Sequence, residues 1–164
     1  MRKVAGRLAI RRRADGTFGW KLTKNEREVL THLAKDFRAL LTAETPSSDP
    51  SLQRLFPPAR TDDPVEELEY ERKVGDSLLV TKLEQLTILE RCAASRVLSE
   101  EDVLACMRAV NDLRLVLGTR LDVREDSDPA DFAGDPERRS TFELYAYLSW
   151  LLESLIEAMS SPGS

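Results

Sequence analysis

KVAGRLAIRRRADGTFGWKLTKNEREVLTHLAKDFRALL, residues 3–41, changes its period once, and that change decides the fold. Lys3–Arg11 alternates strictly. Val4, Gly6, Leu8 and Ile10 share one face, and Lys3, Ala5, Arg7, Ala9 and Arg11 share the other. A period of two marks a half-buried strand. Thr17–Leu22 alternates again, with Phe18, Trp20 and Leu22 opposite Thr17, Gly19 and Lys21. Asp15-Gly16 between them accepts positive φ cheaply and is a strong hairpin signal. Thr23-Lys24-Asn25-Glu26 then reads as a capping box. Beyond it, Val29, Leu30, Leu33, Phe37, Leu40 and Leu41 form one helical stripe, expected to end near Thr45, before Pro46.

The rest of the chain is helical in pattern. Residues 46–64 are rich in Pro, Ser and Asp and read as a loop, with room for a short turn at Leu52–Phe56. A long helix is predicted from Pro64 to about Ser95, its acidic start matching the positive end of the helix dipole. Val74–Ser77 interrupts its stripe and marks a place for a kink or break. Ser99-Glu100-Glu101-Asp102 caps a third helix ending at Leu121. Asp122–Arg138 reads as a loop. A very apolar last helix follows at about Ser140–Ser160. The expected fold is mainly α. It is a bundle of about four main helices with an N-terminal β-hairpin, in one domain over 1–164 (hairpin 1–22, bundle 23–160). Two strands are marginal alone. Leu8, Ile10, Phe18 and Trp20 must therefore pack on the helices or on a second copy. The hairpin's free edge and the apolar last helix both favour a homodimer.

Composition excludes several classes. No run of 18 apolar residues exists to span a membrane. Met1–Gly6 is basic without an apolar stretch behind it, unlike an export signal. A cytoplasmic, reducing location is the expectation. One histidine, His32, and two cysteines give no zinc spacing, and Gly6, Gly16 and Gly19 match no nucleotide fingerprint. No nucleophile stands beside a general base. The reading is a non-enzyme without metal or cofactor.

The net charge of −5 hides a separation. Residues 1–27 hold nine bases and two acids, +7 in all, so the remainder carries −12. Arg7, Arg11, Arg12, Arg13 and Lys21 are candidate contacts to nucleic acid or to an acidic protein partner. The plainer reading is a solubilised hairpin resting on its own acidic body. Phe18 and Trp20 lie on the apolar face, so they read as core rather than as stacking platforms.

Cys92 and Cys106 fall near the facing ends of two antiparallel helices, offset by roughly 5 Å along the axis. They are candidate redox residues, or simply two small buried hydrophobes. Asn111 and Arg114 share a helical face beside the last helix, where Glu153 offers a counter-charge. The structural reading is an Arg114–Glu153 ion pair; the functional one is a binding patch of Asn111, Arg114 and Arg120.

The block Ala109-Val110-Asn111-Asp112-Leu113-Arg114-Leu115-Val116-Leu117-Gly118-Thr119-Arg120-Leu121 resembles the A-V-N-D-x-R-L-x-L-G-T-x-L segment of the AosR-like family of actinobacterial oxidative-stress transcriptional regulators. Asp49–Pro57 and Tyr147–Leu155 are similar to two further segments of that family, and the likeness spans nearly the whole chain. The resemblance implies a cytoplasmic regulator acting on transcription through a stress sigma factor or polymerase. It marks Asn111, Asp112, Arg114, Gly118, Thr119 and Glu153 as the motif residues.

Overall fold

The computed structural model describes residues 8–43, 50–52, 55–56, 63–124 and 126–163, with the side chains of 67, 68 and 70–72 left aside. Strands β1 (Ile10–Arg12) and β2 (Phe18–Trp20) pair antiparallel, Ile10 opposite Trp20 and Arg12 opposite Phe18. The connection is a turn in which the Gly16 amide donates to the Arg13 carbonyl at 3.1 Å and the Thr17 carbonyl accepts from Arg13 at 2.8 Å. Gly16 takes φ 87°, the left-handed value that closes such loops. Asp15 holds the turn by accepting from the Thr17 hydroxyl and amide, which lowers its pKa.

A third strand, β3 (Val97–Leu98), pairs with β2 and completes the sheet β1-β2-β3. The sequence reading took this stretch only as a connection. β3 covers one edge of the expected hairpin. Ile10, Phe18, Trp20 and Leu98 point into the core and are buried. Each such side chain contributes about 2 kcal/mol, which is what a two-stranded ribbon lacks. Leu8 departs from the expected face: it is 54% exposed, whereas Ala9 is fully buried. The alternation therefore fails just before the strand begins.

Helix α1 (Lys24–Leu41) starts at the predicted box. The Thr23 hydroxyl accepts from the Glu26 amide, and Glu26 Oε1 accepts from the Thr23 amide, both at 3.1 Å. It ends at Leu41, earlier than predicted, where the Thr42 hydroxyl donates back to the Arg38 and Ala39 carbonyls. Leu30, Ala34, Phe37 and Leu41 are buried. The Leu55 amide donates to the Leu52 carbonyl at 2.9 Å; residues 53 and 54 of the short turn expected there lie outside the described residues.

Helix α2 (Pro64–Ala93) runs unbroken through Val74–Ser77. No described residue of α2 before Gln85 is buried, so the irregular stripe there reflects a solvent-facing stretch rather than a break. Helix α3 (Glu100–Leu121) is the central rod and packs against α1, α2 and α4. Helix α4 (Pro136–Ser160) begins one turn earlier than predicted. Asp135 caps it through the Glu137 amide at 3.0 Å, and Pro136 takes the first helical position. The link between them is folded rather than loose. Asp122 closes α3 in a left-handed conformation at φ 52°. Phe132 stacks on Phe142 at 4.7 Å, and Arg138 donates to the Leu121 carbonyl at 2.9 Å. No helix among the described residues is long and apolar enough to cross a membrane.

Candidate functional site

The sheet sorts the basic residues. Ile10, Arg12, Phe18, Trp20 and Leu98 take the inner face. Arg11, Gly19 and Val97 form a row on the outer one. Arg11, Arg13 and Lys21 are exposed. The Arg13 guanidinium lies across Gly19, where a Cβ would stand 3.3 Å from its Nε. A bare glycine thus leaves room for a flat cation on the open face. Neither Arg11 nor Arg13 forms an ion pair with a described carboxylate.

Arg12 is different, although the sequence grouped it with its neighbours. It turns inward, 5.6 Å over the Phe18 ring, and donates to the Met159 and Ser161 carbonyls at 3.4 and 3.3 Å. It serves the negative end of α4, where a cation is favoured. Its charge is used inside the fold. Arg7 lies outside the described residues.

Cys92 on α2 and Cys106 on α3 are both buried and carry free thiols that face each other closely enough to hydrogen-bond. The neighbouring thiol and burial push Cys106 far above the usual thiol range; the same hydrogen bond lowers Cys92. Arg91 and Asp102, 2.6 Å apart, sit beside the pair.

The motif block on α3 divides into four jobs. Gly118 faces α4: a Cβ there would lie 3.0 Å from Tyr145 Cε2. The Thr119 hydroxyl donates to the Leu115 carbonyl at 2.9 Å, within its own helix. Arg114 donates to Asn111 Oδ1 at 3.1 Å and to the Tyr145 hydroxyl at 3.5 Å, and rests 6.0 Å over the Tyr145 ring. The expected Arg114–Glu153 pair does not form. Glu153 is exposed. It also lies eight residues beyond Tyr145, roughly 12 Å further along α4. Arg120 joins none of this and donates to Ser51 Oγ at 3.4 Å.

Asp112 supplies the fourth job. It is buried against α2, where its Oδ2 accepts from Lys82 Nζ at 2.9 Å. Burial raises its pKa; Lys82 partly opposes the shift. Sequence reasoning missed Lys82. The signal was present: counted from a turn near residue 97, residues 82 and 112 are equally distant, so antiparallel helices bring them level. The Tyr147 hydroxyl, which donates to Glu26 Oε2 at 2.7 Å, was missed as well and ties α4 to the first cap.

The proton, thiol and guanidinium chemistry of these groups gives no convergent nucleophile and base. Among the described residues no three His, Cys, Asp or Glu side chains are placed to hold a metal ion. No curated protein and no solved structure matches the chain. A family model does match, over residues 7–159, which is nearly the whole fold from the sheet to the end of α4. The chain therefore belongs to the family described as Domain of unknown function (DUF2017).

Proposed function

We propose that this protein is a regulator of oxidative-stress-responsive transcription that binds a sigma factor or polymerase through the outer face of its three-stranded sheet. One observation carries the reading: Arg11 and Arg13 stand on an open face without an ion pair to a described carboxylate, Asp15 alone lying near Arg13, while the body behind them is acidic. Such a face suits an acidic surface on a protein partner. The likeness of Ala109–Leu121 to oxidative-stress regulators supplies the pathway. Direct contact with DNA phosphates is secondary, because the acidic helices repel a duplex that lies along them. The alternative is an adaptor that binds protein and never DNA. Duplex binding that weakens steeply with salt and fails in Arg11→Ala/Arg13→Ala selects the regulator with DNA contact. Partner capture with no duplex binding selects the adaptor.

Redox control belongs to the same proposal. Peroxide would oxidise the facing thiols of Cys92 and Cys106 to one disulfide, each peroxide molecule yielding two water molecules. Both sulfurs are buried, so the reaction waits on opening of the α2–α3 end. Mass spectrometry after mild peroxide should find a Cys92–Cys106 bond and a changed partner affinity. Two free thiols after that treatment would end the idea.

A further inference from the structure

Between α2 and α3 lies an open groove of about 170 Å³, lined by Leu78, Lys82, Gln85, Arg108, Asn111 and Asp112 among others. At about 30 Å³ per water molecule it holds some five or six waters. That is the size of a three- or four-carbon molecule, well below a drug-sized pocket.

Its polar groups are only partly used by the protein. Gln85 is largely buried as a residue, but its amide atoms are not sealed from solvent; the amide lines the groove and is not hydrogen-bonded to any described residue. Its hydrogen bonds are therefore left for water or for a ligand in the groove. Asn111 Oδ1 accepts from Arg114, and a guanidinium can only donate. The Asn111 amide nitrogen is therefore left with its donors for the groove. Lys82 uses one of its three donors on Asp112. Arg108 is exposed at the rim. Two cations against one carboxylate leave the groove with one positive charge and an excess of donors.

We infer that this groove binds a small monocarboxylate, with Arg108, Lys82, Asn111 and Gln85 as its donors. Asp112 sets the charge that is accepted. It offsets one of the two cations, so a single negative charge is matched and a phosphate dianion is not. Leu78 offers an apolar wall to a short carbon chain.

The test is thermal denaturation of the full chain at fixed ionic strength and at about pH 8, where inorganic phosphate is mainly the dianion, with 10 mM acetate, lactate, pyruvate or inorganic phosphate replacing chloride. At least one carboxylate should raise Tm saturably, by about 3 °C if Kd is near 1 mM. Phosphate should do no better than chloride. Gln85→Leu should abolish the shift in a protein that still unfolds cooperatively. A merely structural groove would not respond in that way. Arg108→Ala, at the exposed rim, should fold normally and lose the shift, and it decides the matter alone if Gln85→Leu does not fold. No shift with any carboxylate, a shift equal in phosphate, or a shift that survives in the folded variants overturns the assignment.

Discussion

Gly118 and Gly75 both sit inside helices, and their surroundings predict opposite responses to a methyl group. Nothing lies within 4 Å of a Cβ built at Gly75, so Gly75→Ala should stabilise by about 0.5–1 kcal/mol through helix propensity alone. At Gly118 the Tyr145 ring is already 3.0 Å away and is held by Arg114. Overpacking there exceeds the propensity gain, and Gly118→Ala should lose about 1 kcal/mol in urea denaturation. A stabilised Gly118→Ala would refute the close approach of α3 and α4. Arg12 makes a second contrast. Arg12→Ala should cost about 1 kcal/mol because the last carbonyls of α4 lose their cation, whereas Arg11→Ala and Arg13→Ala should leave stability within about 0.5 kcal/mol. Equal effects at all three positions would contradict the inward turn of Arg12. Run composition alone could not separate these arginines. Strand parity would have done so: Arg12 shares its face with Ile10, which the alternation already placed inside.

At the scale of elements, the caps were the most legible part of the chain. Thr23/Glu26 and Ser99/Asp102 form as read, because a capping box is a local pattern needing no partner from elsewhere. Asp102 does more than cap. The hydrogen bond from Arg91 comes first, and the Ser99 backbone and hydroxyl add to it, so its pKa falls below the usual 3.8. The folded carboxyl is thus more acidic than the unfolded one. Its contribution is complete above about pH 4 and is lost as pH falls through the lower folded value. Asp102→Asn should therefore lose about 1 kcal/mol at pH 7, a gap that closes below about pH 4. A gap that does not narrow as pH falls below about 4 would show that charge plays no part. The elements misread have physical causes. β3 is two residues long and acquires its identity only by pairing with β2. The start of α4 was lost because the polar stretch Asp122–Arg138 read as one loop, although Asp135 supplies a cap and Pro136 suits the first helical position. The thiol pair was legible as a geometric allowance, and its burial as the plainer reading of two small buried hydrophobes.

For the whole molecule, the central fact is where charge ends up. The front of the chain carries +7 against −12 in the rest, and folding does not simply neutralise one with the other. Arg12 is drawn into the fold, while Arg11 and Arg13 remain on the sheet's open face. That separation was visible as a count and became a surface only once the strand register was known. The groove at Lys82, Gln85 and Asp112 was not legible as a site, because its parts come from two helices some thirty residues apart in sequence. The most direct measurement is capture from native lysate on immobilised protein, wild type beside Arg11→Ala/Arg13→Ala/Lys21→Ala, with bound proteins identified by mass spectrometry across a salt series. Wild type should retain a sigma factor or RNA polymerase at about 50 mM salt and release it as salt rises, with the triple variant retaining at least tenfold less. Equal retention by both proteins, or no component of the transcription machinery bound to wild type, would contradict the account.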